Sequence, residues 1–469
     1  MAHLGVKHRK LALLDAHGRP VSPSFVQKGD KSVQVIRGGL RAVLQPLGLV
    51  LLQNANVKRH DAFVLVLDND RTSVACILAA MNLQCVCILL STGRIALLDH
   101  VKKQTGITKV LIVDDATSSV SVQDVTSPQT AGDSTNEWTT IPWLREKVID
   151  KNGCVCLLTS GSVGEPKVVP CTWDHMLLQG ESTYHQLFPK GPTRIVCGTS
   201  ISHAFSINTL FALFTSPYDA QSELCFASSV VGLYSLLAQR SHLFTVLYAT
   251  PGTYTALAVM PPTLLHADVP YCAEMGNTAA WCLHGKNYDV ELKEMESNEK
   301  QLYVGCVWPG VETCTTDSGE VVMKTPWQAE GYVNSRVLLH FNGPHHTSDL
   351  GTITQDKDGV DCIWLQRRIR PDIEIKSRGR HMTFSPDNIE TVISAHPSVS
   401  DVLVLTQNKA DHEKSVIRAR VVLNDGASIG ISEIKQWCVS HNLPGLRDTL
   451  DVEIAKYLPC SPAGKLMYA

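Results

Sequence analysis

Three short apolar runs constrain this chain more than any other feature. Ala62–Leu67, Val86–Leu90 and Lys109–Val113 are each of strand length and almost wholly apolar. Between them, Val74–Met81 and Ala96–Gln104 read as helices. A strand that is apolar on both faces needs cover on both faces, and alternating helices supply it. The expectation is an α/β fold with parallel sheets and helices. Strand-like and helical stretches continue to alternate at 195–214, 224–239 and 244–260, with Pro251 leading the last helix from Tyr254 to Met260. Thr172–Tyr184 reads as a helix with Thr172 as its cap and Asp174 in its first turn.

Other stretches are read with less order. Leu11–Asp15 suggests a strand and Gly18–Pro20 a turn. Residues 33–52 are apolar at helical spacing, interrupted by Gly38, Gly39 and Pro46, and 116–140 read as an exposed loop. Short strands and turns around Tyr303–Gly305, Gly319–Val322 and Gly331–Tyr332 suggest a small β-rich part. The C-terminal stretch reads as a small α+β unit. It has strands at Val399–Leu405 and Ser415–Leu423, and a helix from Ser432, its expected cap, to His441. A chain of 469 residues is too long for one small core, so two or more domains are expected.

The net charge of −3 comes from interspersed signs, which gives no argument for nucleic acid or an anionic membrane as partner. No apolar run is long enough to span a bilayer. The 15 cysteines include no Cys-x-x-Cys pair. Cys85/Cys87 and Cys154/Cys156 are spaced to share one face of a strand. Buried reduced thiols are favoured over a zinc site, and with them a reducing, cytoplasmic setting. The basic start, Lys7 to Lys10, would also suit a mitochondrial presequence. No secretory apolar segment is present, and Leu-Met-Tyr-Ala at the end is not a peroxisomal signal.

Chemistry enters at residues 159–167, Thr-Ser-Gly-Ser-Val-Gly-Glu-Pro-Lys, between the apolar run Val155–Leu158 and the pair Val168–Val169. Gly161 and Gly164 allow tight turns and close approach of a ligand. Thr159, Ser160, Ser162 and the surrounding amides can donate to phosphate oxygens, and Lys167 adds a positive charge. The stretch is not a Walker A loop, because Pro166 precedes the lysine and a valine follows it. On residues alone it is either a phosphate cradle or an ordinary Ser/Gly surface loop.

This stretch resembles the phosphate loop of the adenylate-forming superfamily, which includes acyl-CoA synthetases, luciferases and the adenylation domains of peptide synthetases. Val163 stands where that family commonly has threonine. Downstream, Thr347-Ser-Asp349-Leu-Gly resembles its Thr-Gly-Asp-Leu-Gly, with Ser348 in place of glycine. Arg370-Pro-Asp372-Ile-Glu-Ile-Lys376-Ser-Arg-Gly379 resembles a third family stretch, and the end around Ser461-Pro-Ala-Gly464-Lys465 a fourth. The resemblance implies a large N-terminal domain over 1–369 and a small mobile α+β domain over 370–469, with the hinge near Asp372.

The same resemblance implies the site. Lys167 and Lys465 would be catalytic, with His203 at the start of an apolar helix gating the acyl pocket; read alone, His203 is equally a capping histidine. Thr159, Ser160, Gly161, Ser162 and Gly164 would hold the ATP phosphates, Asp349 the ribose hydroxyls, and Arg370 ribose or phosphate. Tyr271 would stack on adenine and Glu274 hold Mg²⁺, although Tyr271–Gly276 is one residue short of the family pattern and lacks its threonine. The implied activity is ATP-dependent conversion of a small carboxylic acid, as in fatty acid metabolism, to an acyl adenylate. Transfer to coenzyme A or a carrier-protein thiol would follow. The shortened middle leaves open a degenerate member that binds nucleotide or acyl groups without turnover.

Overall fold

The computed structural model describes residues 33–458 apart from 38, 125–140, 160–165, 189–190, 228, 240, 249–270, 273–301, 342, 371, 378–379, 406–416, 425, 442 and 444. The expected strand at 11–15, the turn at 18–20 and the helix at 254–260 lie outside these residues.

The chain enters as strand β1 (Val33–Arg37), then helix α1 (Gln45–Asn54), β2 (Ala62–Leu67), α2 (Arg71–Asn82), β3 (Val86–Ser91), α3 (Leu98–Thr105), β4 (Lys109–Asp114) and β5 (Ser119–Asp124). After α4 (Lys147–Asn152) come β6 (Cys154–Leu158), β7 (Val168–Thr172), α5 (Trp173–Leu187), β8 (Thr193–Cys197) and α6 (Ala204–Thr215). There follow β9 (Glu223–Ala227), α7 (Val230–Ala238), β10 (Phe244–Tyr248) and β11 (Tyr271–Cys272). The β-rich part holds β12 (Leu302–Cys306), β13 (Glu312–Thr315), β14 (Glu320–Lys324), β15 (Gly331–Asn334), β16 (Val337–His340), β17 (His345–Gln355) and β18 (Asp361–Arg368). The last section is β19 (Ile373–Ser377), β20 (Arg380–Phe384), α8 (Pro386–Ser394), β21 (Val399–Leu405), β22 (Ile417–Leu423), α9 (Ile431–Ser440) and β23 (Leu450–Ile454).

The apolar runs form the middle of an eight-stranded sheet ordered β16-β15-β7-β6-β3-β2-β4-β5. Strands β6, β3, β2 and β4 are mutually parallel, while β5 and β7 join antiparallel. Both faces are covered, as their composition requires. Phe63, Leu65 and Leu67 enter one hydrophobic cluster while Ala62, Val64 and Val66 enter another. Each large side chain so buried stabilises the fold by roughly 1.5–3 kcal/mol. The cysteine spacing has the same cause: Cys85 and Cys87 lie in the first cluster, Cys154 and Cys156 in the second, all as free buried thiols. Burial pushes the Cys85 thiol up to about 12 and Cys154 well above its ordinary value, so both stay protonated.

A five-stranded sheet, β1-β9-β8-β10-β11, has a parallel interior with β1 antiparallel at its edge. A second, β12-β18-β17-β14-β13, is antiparallel throughout. The C-terminal strands and helices gather around their own hydrophobic cluster, from Ile375 to Val452.

Three readings are corrected. Residues 33–37 are a strand, because Val-Gln-Val-Ile-Arg finds an edge at Glu223–Ala227, and the helix starts only after Gly39 turns the chain at φ 76°. Residues 119–124 are an exposed edge strand on β4, within what reads as loop. Helix α9 begins at Ile431 with Gly430 as its cap, so Ser432 lies inside the first turn. Thr172 caps α5 as expected, its hydroxyl accepting from His175 N–H.

Candidate functional site

The 159–167 stretch is the loop of the β6–β7 hairpin. Leu158 pairs with Val168 at the base. One step out, Thr159 N–H donates to the Lys167 carbonyl at 3.0 Å, and Lys167 N–H donates to the Thr159 hydroxyl at 2.9 Å. The first and last residues of the loop thus close it on each other. Ser160, Gly161, Ser162 and Gly164 lie outside the described residues.

The two ends are gripped from neighbouring elements. Arg94, in the turn after β3, donates to the Thr159 carbonyl at 3.2 Å. Its partial burial lowers the guanidinium pKa from its ordinary value. His100, on α3, places Nε2 2.8 Å from the Pro166 carbonyl, so that nitrogen carries the proton and donates. The Lys167 ammonium lies 4.5 Å from the centre of the Tyr332 ring, a cation–π contact. Tyr332 is placed there because its neighbour Val333 pairs with Val168. Its ring meets Phe341 edge-on at 4.8 Å, and Phe341 meets His345 at 5.6 Å, where β17 begins.

Strand β17 carries Asp349, which pairs with Arg368 of β18; Ile369 N–H then donates to the Ser348 carbonyl at 2.6 Å. The two strands therefore bring Asp349 and Arg370 to one end of the same hairpin. Ser348 has φ 60°, the left-handed region where a Cβ is strained and glycine is at ease. Glu320 holds that irregular point of β17, where its register with β14 shifts. One carboxylate oxygen accepts from Ser348 N–H at 2.9 Å and the other meets His346 Nδ1 at 2.9 Å. Partial burial acts upward on the Glu320 carboxyl, but the His346 ring and the Ser348 N–H outweigh it and hold the group below its ordinary range.

The Arg370 guanidinium is nearly buried and forked onto Glu390 of α8, at 2.8 and 2.7 Å. Glu390 also accepts from Val404 N–H at 2.6 Å. Asp372 is exposed, between β18 and β19. His203 is the N-cap of α6, its Nδ1 accepting from Phe205 N–H at 3.3 Å. The loop before it is tied to the end of β2, where Asn69 bonds both Thr199 and Ile201.

Lys167 stands on the eight-stranded sheet, His203 follows the first five-stranded sheet and Asp349 lies on the second. Tyr271 is present as backbone in β11, paired with Leu247, while its side chain, Glu274 and Lys465 lie outside the described residues. Sequence reading gave no role to Arg94, His100, Tyr332, Glu320 or Glu390. For Arg94 and His100 a signal existed: they follow a strand parallel and adjacent to β6, and loops at one end of such strands converge.

Solved structures share this architecture across nearly the whole chain. O-succinylbenzoate coenzyme A synthetase (MenE) from Bacillus subtilis, in complex with AMP, aligns over 92% of this chain and 91% of its own, with a TM-score of 0.58 and 16% identity. ATP-bound MatB from Rhodopseudomonas palustris aligns over 90% and 91%, with a TM-score of 0.60 and 16% identity. The fold is that of the adenylate-forming enzymes. The amide bond synthetase McbA from Marinactinospora thermotolerans has the same adenylate-forming fold, over 91% and 92% at a TM-score of 0.55 and 17% identity. No protein-family model matches the chain. In sequence, crotonobetaine/carnitine–CoA ligase from Salmonella paratyphi B is 31% identical over 122 residues, which are 26% of this chain and 22% of that ligase. The matched stretch thus spans under a quarter of the curated relative's length.

Proposed function

We propose that this chain is an AMP-forming acid–thiol ligase of the acyl-CoA synthetase type. The observation that carries the reading is the Thr159–Lys167 closure of a Ser/Thr/Gly loop. That loop sits on a fold shared with enzymes solved with AMP and ATP. In the proposed reaction a substrate carboxylate attacks the α-phosphate of ATP, the α–β bridging bond breaks and pyrophosphate leaves. A thiol then attacks the acyl carbonyl and AMP leaves.

Charge gathers on phosphate oxygens in the first step, so preorganised donors are what the protein must supply. The loop amides and hydroxyls, with Lys167, fill that role. Lys167 is kept at the loop's mouth by the Tyr332 ring, from which a phosphate would draw it at little cost. Asp349 would accept from the ribose hydroxyls. Arg370 would reach ribose or phosphate only on leaving Glu390, and Lys465 would meet the forming adenylate. His203 would position the acid from the N-cap of α6, where its Nδ1 accepts from Phe205 N–H. Tyr271 would stack on adenine, and Mg²⁺ held by Glu274 would neutralise phosphate charge. The boundary between 369 and 370, the hinge at Asp372, coenzyme A or a carrier-protein thiol as acceptor, and a cytoplasmic setting belong to the same proposal. No helix among the described residues is long and apolar enough to cross a membrane.

The test is release of AMP and pyrophosphate from ATP, Mg²⁺ and coenzyme A with acids from acetate to long-chain and aromatic. Release that depends on one acid class, and falls about 10²-fold or more in Lys167→Ala, supports the ligase. ATP binding without release for any acid would overturn turnover in favour of a binding protein. ADP in place of AMP would overturn the reaction class.

A further inference from the structure

Cys306 and Cys362 stand directly opposite each other on β12 and β18. The next pair along, Val307 and Asp361, is joined by Val307 N–H to the Asp361 carbonyl at 2.7 Å. Antiparallel pairs alternate between hydrogen-bonded and non-bonded sites, so the cysteines occupy a non-bonded site. Opposed Cα atoms there lie about 4.5 Å apart, inside the span that a disulfide bridges. The two sulfur atoms are 2.8 Å apart. By contrast Cys154 and Cys156 share one strand face with their sulfurs 3.6 Å apart, and both are fully buried. Cys306 is only half-buried, whereas Cys362 is 4% exposed.

Asp356 brings a carboxylate oxygen 3.7 Å from the Cys306 sulfur, and the three side chains together could be read as metal ligands. Two features favour thiol chemistry. The other Asp356 oxygen accepts from the N–H groups of Asp358 and Val360 at 2.8 and 2.9 Å, so Asp356 already serves as the cap of the β17–β18 turn. The sulfurs are also too close together for two thiolates each about 2.3 Å from one tetrahedral zinc.

We propose that Cys306 and Cys362 form a two-thiol oxidation site that a peroxide converts to an intrachain disulfide. Cys306, the accessible thiol, attacks one peroxide oxygen; the O–O bond breaks, and the sulfur becomes a sulfenic acid as water leaves. Cys362 then attacks that sulfur; the S–S bond forms, the S–O bond breaks and a second water leaves. Two thiols and one hydrogen peroxide thus give one disulfide and two waters. The product staples β12 to β18, the strand that ends two residues before Arg370.

The experiment treats the full chain with hydrogen peroxide, quenches with an alkylating agent under denaturing conditions, and maps peptides by mass without reductant. The expected result is a Cys306–Cys362 linked peptide, about 2 Da below the sum of its reduced parts and released by dithiothreitol. The link should be absent from Cys306→Ser and Cys362→Ser, each checked for fold by circular dichroism. If a variant does not fold, the wild-type map decides by itself. Alkylation of both thiols after exposed Cys314 has oxidised would overturn the proposal. Stoichiometric zinc in the purified protein, lost in Cys306→Ser, would overturn it in favour of a metal site.

Discussion

The 159–167 loop leaves and re-enters the eight-stranded sheet between β6 and β7, and every residue of β6 is buried. The Ser348–Arg370 region stands on a sheet whose β17 is half-exposed along most of its length, with Gly351 its one buried residue. The first region is held by strand pairing and apolar packing on both faces. The second adds two carboxylate contacts to its antiparallel pairing, Glu320 on Ser348 and Glu390 on Arg370. A hairpin base set in a packed sheet is fixed largely by strand pairing and burial, whereas a contact made by a carboxylate can be released by a charge change or a competing ligand. Under the proposed function, that difference would suit a Thr159–Lys167 closure that is kept and an Arg370 that exchanges Glu390 for nucleotide.

The largest expected effect breaks the packed side. Gly153, between α4 and β6, has φ 65°, and a Cβ there would lie 2.3 Å from the Gln84 carbonyl oxygen. Gly153→Ala should cost about 3 kcal/mol or more. Gly359→Ala, at φ 76° with nothing within 4 Å in the β17–β18 turn, should cost only about 1 kcal/mol. Equal shifts in urea midpoint for the two variants would end the contrast.

Next comes the Arg370 clasp. Glu390→Ala leaves a nearly buried guanidinium without its forked partner, and the loss should be about 2–3 kcal/mol. Arg420→Ala removes an ion pair to the 60% exposed Glu453 side chain and should cost under about 1 kcal/mol. Denaturation of both variants compares a clasp with a surface pair, and a Glu390→Ala cost as small as that of Arg420→Ala would deny the clasp.

Acid titration should then separate the regions by sign. At the end of β2, Asp70 caps α2, and burial raises its carboxyl from 3.8 to about 6 against the opposing Ser73 hydrogen bonds. Between those values the folded state binds a proton that the unfolded chain does not, so this group makes stability fall as pH rises from about 4 to 6, by on the order of 2–3 kcal/mol. Glu320, lowered from 4.5, acts the other way: its contribution is full above that value and is lost as pH falls below it. Asp70→Asn should flatten the first dependence and Glu320→Gln the second. Stability profiles that run parallel to wild type would show that neither carboxyl is shifted.

The smallest effect is a gain. Ser348→Gly removes a Cβ from the left-handed region and should stabilise by up to about 1 kcal/mol, read as a higher melting temperature. A loss would mean that the Ser348 side chain, more than the Glu320 contact, holds this irregular point of β17.

How much was legible follows the same division. Strands β2, β3 and β4 could be read because a both-faces-apolar run has few places to go. Edge strands β1 and β5 could not, because what makes them strands is a partner's edge, for β1 the residues 223–227. The loop and its closing lysine were visible as residue types, and so was His203 as a cap. The Ser348 departure showed as a letter, while its strain became visible only as a backbone angle.

The sequence by itself determined the α/β class, the buried thiols and the Ser/Gly/Lys loop, because burial demand and backbone freedom are local properties of residue types. Only the tertiary structure decided that Arg94, His100 and Tyr332 surround that loop, that Glu320 and Glu390 hold the other half, and that Cys306 meets Cys362. Each of those contacts joins residues far apart in the chain, or on separate elements, through strand register and sheet order. A register is fixed by the packing of the whole sheet, so no stretch of sequence carries it by itself.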